Sequence, residues 1–335
     1  MKMTKKIASL VLPLALFFIL ALDARAVTVS PVIIEHEVAP GMRVQGKIMV
    51  INDSAGKQTY YTSIQSFVPE GEEGGQKYLE EAAPSGLPAW FRLSESSITL
   101  EPNESKEIQY TLDVPANAEP GGHYATLFYS TTPELEKNRT NVGIAAKTGI
   151  IFLVKVAGDV KEDATIESFT VNRRLISSLP AMMSLRIRNN GTVHFRPEGT
   201  LTIRNMWGGI VAKVPANPKN SAVLPTSIRR LDTWWIKDVE ALDCFKEGHK
   251  IECNGFWFGL QNEWKNFALG RYVATVDVKY GSKNVPLEPR TVSFWVIPWR
   301  MGLILLGLLV ILFVAIKIYN RALINAALGK KEAKK

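Results

Sequence analysis

The sequence predicts an all-β protein, in which two tandem Ig-like β-sandwiches are followed by one C-terminal transmembrane α-helix. Three observations support this prediction. Hydrophobic residues recur with the period of two that is typical of half-buried strands. A set of turn motifs occurs twice in the same order, and a long apolar run stands near the C-terminus.

The N-terminus has the pattern of a secretory signal peptide. A lysine-rich start precedes the apolar stretch 7–22, and the triplet 24–26 (Ala-Arg-Ala) fits the small-x-small cleavage rule. We expect residues 1–26 to be removed and Val27 to begin the mature chain. The alternative is an uncleaved signal anchor.

Alternating runs predict strands in both halves of the mature chain. They cover residues 43–51, 106–114, 183–188 and 272–280. Runs of this kind, bounded by Pro, Gly, Asn and Ser, are typical of a β-sandwich. About 270 residues lie between the signal and the apolar run, which suits two domains of roughly 130 residues each. The predicted domains are 27–157 and 158–295.

Three marks recur in the two halves in the same order. They are a strand-ending asparagine, a Leu-Pro motif that opens a later strand, and a Gly-x-Tyr turn. The asparagines are Asn52 in the first half and Asn189 in the second. The strand-opening motifs are residues 100–105 and 224–227, and the turn tyrosines are Tyr124 and Tyr272. Because each tyrosine follows a turn glycine, Tyr124 and Tyr272 are candidate tyrosine corners, in which the hydroxyl ties a strand to the preceding loop.

The run Met301–Ile316 is uncharged and apolar on every side. Roughly 20 residues cross a bilayer, and residues 296–319 reach that length if Arg300 and Lys317 extend to the two interfaces. Tryptophans at one end and Tyr319 at the other provide the expected aromatic belts. A buried core helix is the alternative, and the all-round apolar surface argues against it.

The residues after the span, 320–335, form a basic tail. The positive-inside rule and the signal together place the N-terminal ectodomain outside and the tail in the cytoplasm of a single-pass cell-membrane protein. The formal charge of +8 comes from the signal and the C-terminal segment, since the ectodomain between them is close to neutral. A nucleic-acid partner is therefore not expected.

Cys244 and Cys253 are the two cysteines of the chain. In an exported protein they are expected to form a disulfide that closes a short hairpin around residues 247–248. Such a bridge stabilises by about 2–3 kcal/mol. A metal pair is the alternative, and the one nearby histidine, His249, does not complete a ligand set.

No sequence pattern indicates catalysis. The four histidines are scattered over both predicted domains, and the residues of Glu35-His36-Glu37 would point to opposite faces of a strand. There is no Gly-x-Ser-x-Gly motif and no glycine-rich phosphate loop followed by a helix. We therefore expect a protein without enzyme activity, cofactor or metal.

Two features are candidate binding surfaces. Residues 69–88 are predicted as a long inter-strand loop, which is either functional or simply mobile. Trp207, Trp234, Trp235 and Trp257 are candidate ligand contacts, with core packing as the alternative. On a strand, Trp234 and Trp235 should place one ring inward and one outward.

Several turn and strand-edge motifs resemble those of the WxL-interacting surface proteins of Gram-positive bacteria. In this chain they are Ser30-Pro31, Ala39-Pro40-Gly41, Asn52, Leu100-x-Pro102, Pro120-Gly121-Gly122, Asn190-Gly191, Pro197 and Leu224-Pro225. The resemblance covers nearly the whole mature chain. It implies a peptidoglycan-contacting first domain and a second domain that binds other surface or host proteins. The cysteine pair and the tryptophan-rich second half depart from the family's pattern.

These observations predict a membrane-anchored cell-surface binding or adhesion protein, whose partner is peptidoglycan or another surface protein. The alternative is a membrane-tethered assembly chaperone for secreted or pilus-like subunits, to which it would lend an edge strand. A long unpaired edge in the first domain, without charged side chains, would favour the chaperone.

Overall fold

A computed structural model describes residues 27–79, 86–133, 147–239 and 255–332, with side chains as far as Leu323. The predicted signal peptide lies outside these residues. The described chain divides into two compact units, the first made of 27–70, 74–161 and 192–194 and the second of the remainder. Each unit is a β-sandwich, and an apolar helix follows at the C-terminus, which confirms the predicted fold class.

The first sandwich is formed by strands β1–β10 and the short helix α1. Their bounds are β1 Val27–Ser30, β2 Ile33–Val38, β3 Arg43–Asn52, β4 Gln58–Glu70, β5 Gly75–Tyr78, α1 Leu87–Trp90, β6 Phe91–Leu93, β7 Ser97–Leu100, β8 Ser105–Asp113, β9 Gly121–Ser130 and β10 Lys147–Val156. One sheet has the order β1-β3-β8-β6 and the other β2-β10-β9-β4-β5, with β7 also on β4. Alternate residues such as Ile48, Ile108 and Phe152 are fully buried between them.

The second sandwich is formed by strands β11–β19. Their bounds are β11 Ala164–Val171, β12 Leu175–Ile176, β13 Ala181–Asn189, β14 Glu198–Asn205, β15 Ile210–Pro215, β16 Ile228–Trp235, β17 Gly270–Tyr280, β18 Val285–Pro286 and β19 Arg290–Val296. The sheets are β11-β13-β16 and β12-β19-β17-β14-β15, with β18 also on β17. Trp235, Ala274 and Phe294 lie in the core between them.

The recurring asparagines are equivalent structural positions. The Asn52 side chain donates to the carbonyl of Leu100 at 3.1 Å, and that of Asn189 donates to the carbonyl of Val223 at 2.9 Å. Each asparagine also exchanges backbone hydrogen bonds with the turn that follows its carbonyl partner. Those two turns carry Asn103 at φ 60° and Thr226 at φ 57°. The repeated asparagine therefore forms the same buried hydrogen bond to a backbone carbonyl in each sandwich.

The predicted loop 69–88 is partly a β-hairpin. Strand β4 continues to Glu70 and pairs with β5 across a turn that contains Gly71 at φ 65° and Gly74 at φ 91°. Glycine adopts these left-handed conformations without steric cost, so a tight turn forms where the acidic composition suggested a loop. Residues 80–85 lie outside the described part of the chain.

Two helices belong to the second unit, α2 (Phe256–Lys265) and α3 (Trp299–Glu332). Helix α2 was not predicted from the sequence. Within α3, residues 299–323 include an 18-residue stretch whose mean hydropathy is 2.8, and none of that stretch is buried. Among the described residues, α3 is the one helix long and apolar enough to cross a membrane. It begins three residues later than the predicted span and continues into the predicted tail.

Candidate functional site

The most unusual surface of the second unit is helix α2, whose polarity is inverted. Asn262, Glu263 and Asn266 are buried, whereas Trp257 is 75% exposed and Trp264 is 73% exposed. Residues three and four positions apart share a helix face, so one face carries the polar groups and the other the indole rings. A surface helix in water shows the opposite arrangement.

The buried polar face of α2 is held by hydrogen bonds to the sandwich. The Asn262 amide donates to Ser178 Oγ and to the Leu179 carbonyl, both at 2.9 Å. Asn266 Oδ1 accepts the backbone N–H groups of Lys237 at 3.1 Å and Asp238 at 2.9 Å. Because buried amides cost free energy unless they are hydrogen-bonded, these contacts fix which face of α2 points inward.

Glu263 joins α2 to the start of α3. Its carboxylate is fully buried and accepts the Met301 backbone N–H at 2.9 Å and Arg300 Nη1 at 3.1 Å. The Met301 N–H belongs to the first turn of α3, where backbone donors have no intrahelical partner and negative charge is favoured. The carboxylate therefore fixes the apolar helix to the sandwich. Arg300, which the sequence predicts to extend to a membrane interface, pairs with this carboxylate.

Gly259 leaves the space that this ion pair occupies. A Cβ atom at Gly259 would stand 2.3–2.7 Å from the Arg300 guanidinium. Glycine normally costs a helix about 1 kcal/mol relative to alanine. We expect Gly259→Ala to destabilise the second sandwich despite this gain in helix propensity, because it displaces Arg300 from Glu263. Thermal unfolding of the full chain in detergent checks this, and a raised transition temperature would contradict it.

An apolar cleft of about 1010 Å³ lies between α2 and the start of α3. Trp257, Leu260 and Trp264 line it from α2, and Trp299, Met301 and Leu305 line it from α3. Phe267 and Leu269 extend the same surface beyond the end of α2. Such a cleft takes apolar groups and offers few hydrogen-bonding partners.

The first unit offers a different candidate, the outer edge of β2. This strand is the last of its sheet and pairs with β10 in parallel. The carbonyl of Val32, the residue before β2, accepts the N–H of Ile151 at 2.9 Å, and the carbonyl of Val38 accepts that of Ala157 at 2.8 Å. Because backbone groups alternate along a strand, the backbone at Ile33 and Glu37 faces away from β10. Within the described residues no strand pairs with that side.

The four tryptophans predicted as ligand contacts occupy four different environments. Trp235 is 2% exposed and packs against Tyr272 and Phe294 in the core, so its assignment as a ligand contact is wrong. Trp234, the neighbour on β16, points outward and is partly exposed, as the alternation of the strand requires. Trp207 is 81% exposed in the β14–β15 turn, and Trp257 lies on α2.

The two predicted tyrosine corners differ. The Tyr272 hydroxyl lies 3.3 Å from both the N–H and the carbonyl of Leu269, three residues upstream. The Tyr124 hydroxyl instead accepts the backbone N–H of His194 at 3.1 Å. Tyr124 is thus hydrogen-bonded to a segment 70 residues further along the chain. Cys244 and Cys253 lie outside the described residues, and their disulfide stays a prediction.

The histidine and carboxylate groups do not converge on a metal site in the described ranges. No group of three or more His, Cys, Asp or Glu side chains there could hold an ion. In the Glu35-His36-Glu37 triplet, His36 Nε2 lies 2.9 Å from the Tyr110 hydroxyl, and Glu37 pairs with Lys155 at 3.0 Å. The triplet therefore has structural partners on separate sides of β2.

No protein-family model matches this chain, and no curated protein matches it. Its resemblance to the WxL-interacting surface proteins stays a prediction. Among solved structures it is similar to the class 5 fimbriae chaperone CfaA, at 10% identity over 82% of this chain and 100% of that chain, with a TM-score of 0.35. It is also similar to the Escherichia coli chaperone DraB, at 11% identity over 81% of this chain and 97% of that chain, with a TM-score of 0.35. A third similar structure is that of the SafB chaperone with the Salmonella enterica SafA pilin, at 8% identity over 81% of this chain and 98% of that chain, with a TM-score of 0.35. Similarity at this level does not identify a function.

Proposed function

We propose that this protein is a single-pass, membrane-anchored binding protein of the cell envelope that captures an extended segment of another exported protein. The observation that supports it is the outer edge of β2, the terminal strand of its sheet, with which no strand of the described residues pairs. An extended segment adds to such an edge through main-chain hydrogen bonds. This is the mode of an assembly chaperone, and it needs no catalytic group.

A long strand edge without charged side chains was the feature expected of a chaperone, and the β2 edge has the length but also carries charges. The strand is six residues long, and its exposed face carries Glu35 and Glu37. Charged side chains protect edges against indiscriminate pairing.

The anchor in this proposal is α3. Its length and hydropathy suit a membrane span, and the lysine-rich residues after its apolar stretch favour a cytoplasmic C-terminus. Both sandwiches then lie outside the cytoplasm. The contacts of Glu263 with Arg300 and Met301 keep the second sandwich directly at the membrane, where newly exported chains emerge.

Proline at position 37 tests strand capture. Glu37→Pro removes an outward N–H, whereas Glu37→Ala removes the same Lys155 ion pair and keeps that N–H. With a photo-cross-linking amino acid at Ile33, we expect an adduct with an exported protein in cells. The adduct should persist in Glu37→Ala and fall about tenfold in Glu37→Pro, which corresponds to roughly 1.4 kcal/mol.

The same cross-linker at Val211, on the terminal strand β15, is the control. Equal adducts in the proline and alanine variants would show that the β2 edge is not used. Binding of wall glycan stays a prediction, to be tested by retention of the detergent-solubilised full chain on purified peptidoglycan. If the chain is retained on peptidoglycan equally with and without Glu37→Pro, and no adduct forms at Ile33, glycan binding would be the function and strand capture would be wrong.

A further inference from the structure

We infer that the base of the second sandwich rests in the headgroup layer of the bilayer that α3 crosses, and that lipid covers its apolar surface. The base comprises the β14–β15 turn (206–209), helix α2 with the following residues 266–269, and residues 297–299. The inference rests on the proposed membrane anchor. It adds a second, in-plane contact with the same membrane.

The parts of the base lie at one end of one sheet. Asn205 at the end of β14 pairs with Tyr272, and Gly270 at the start of β17 pairs with Val296 at the end of β19. The turn after Asn205, the residues before Gly270 and the residues after Val296 therefore leave the sheet on the same side. A Cβ atom at Gly270 would meet Met206 Cε at 2.6 Å, so the turn packs directly on this end.

The side chains at this end are those found at membrane interfaces. Trp207, Trp257, Trp264 and Trp299 are exposed, as are Phe267 and Leu269. Indole rings concentrate at the boundary between headgroups and acyl chains, because they combine a large apolar body with an N–H donor. A helix that turns such a face outward and lies in the membrane plane buries that face about 5–10 Å into the boundary.

The depth of α2 is fixed by its attachment to α3. Residues 299–323 form 25 residues of helix, which at 1.5 Å per residue is about 37 Å. This exceeds the roughly 30 Å of the hydrocarbon core, and the exposed indole of Trp299 beside the charged Arg300 favours the headgroup layer for the first turn of α3. Glu263 binds the Met301 N–H in that turn. Helix α2 consequently lies at the level of the headgroups.

A lipid surface fits the base better than a protein partner. The exposed rings belong to three separate chain segments at one end of a sheet, which is also the end from which the chain continues into the apolar helix. A bilayer through which α3 passes meets all three at once, and it accommodates indole N–H groups with its ester and phosphate oxygens. The area is also continuous with the lipid-facing surface of α3 through the shared cleft.

Lipid labelling of the full chain tests this inference. The chain is placed in nanodiscs of phosphatidylcholine and phosphatidylglycerol that contain a lipid with a diazirine near its headgroup, and labelled peptides are mapped by mass spectrometry. We expect label in α3, in 256–269 and in 206–209. The turn 281–284, at the opposite end of β17, is the internal control and should stay unlabelled.

Tryptophan fluorescence in bromolipid nanodiscs gives a second readout. Phenylalanine at both Trp257 and Trp264 should reduce the quenchable fraction, whereas Trp90→Phe in the core of the first sandwich should leave that fraction unreduced. Label in α3 without label in α2 or the turn would overturn the inference and leave the anchor standing. Absence of label from α3 as well would overturn the proposed anchor. Cross-links from α2 to a second copy or another polypeptide, without lipid label, would assign the surface to a protein partner.

Discussion

Glu263→Ala is expected to lower the free energy of unfolding of the second sandwich by about 3–5 kcal/mol, the range for removing one partner of a buried ion pair. The substitution leaves the Arg300 guanidinium without its carboxylate and the Met301 N–H without an acceptor. Both groups belong to the junction of α2 and α3, so the junction should open before the sandwich unfolds.

Hydrogen exchange of the full chain in detergent measures this effect. We expect faster exchange in α2 and in the first turn of α3, with the first sandwich unaffected. Glu263→Gln is the matched control, since it keeps the shape and one acceptor oxygen and should lose less stability. Exchange that stays at the wild-type rate in Glu263→Ala would show that the carboxylate does not hold the two helices together.

Asn52→Ala is expected to destabilise the first sandwich by about 3 kcal/mol, because it leaves several buried polar groups without partners. The side-chain amide donates to the carbonyls of Gly56, Leu100 and Glu101 at 2.9–3.1 Å. Its oxygen accepts the Ser54 N–H at 3.1 Å and the Tyr60 hydroxyl at 2.7 Å. No water can replace these contacts without entering the core.

The equivalent change in the other sandwich provides the control for Asn52→Ala. Asn189→Ala should destabilise the second sandwich and leave the first at wild-type stability. Urea unfolding followed by hydrogen exchange separates the two responses. If Asn52→Ala cost less than about 1 kcal/mol, the normal net worth of a single hydrogen bond, the asparagine would not be the device that closes the sandwich.

Much of the fold could be predicted because it depends on local pattern. Alternation along a strand requires one side to be buried, and the predicted runs 43–51, 106–114, 183–188 and 272–280 all fall within or at the ends of observed strands. The recurrence of Asn52 and Asn189 could be recognised because each asparagine is followed in the sequence by a turn motif, at 100–105 and at 224–227. The disulfide between Cys244 and Cys253 stays a prediction.

The packing of helix α2 could not be predicted because its polar side chains face the protein and its tryptophans face outward. Trp257 was predicted as a ligand contact with core packing as the alternative, and no role was predicted for the Asn and Glu residues of this segment. The periodicity of a helix shows that two faces differ, but it does not show which face meets the protein. That choice depends on the carbonyls of Leu179 and Asp238 and on the Met301 N–H, which other segments bring to the site.

The sequence by itself determined the β class, the repeated asparagine device and the apolar C-terminal helix, because each follows from the order of polar and apolar residues over a short stretch. Only the tertiary structure decided which strand forms the sheet edge at β2 and which of Trp234 and Trp235 is buried. It also decided that Glu263 fixes α3 to the sandwich. These outcomes depend on pairings between residues that are far apart in the chain, and local periodicity carries no information about such partners.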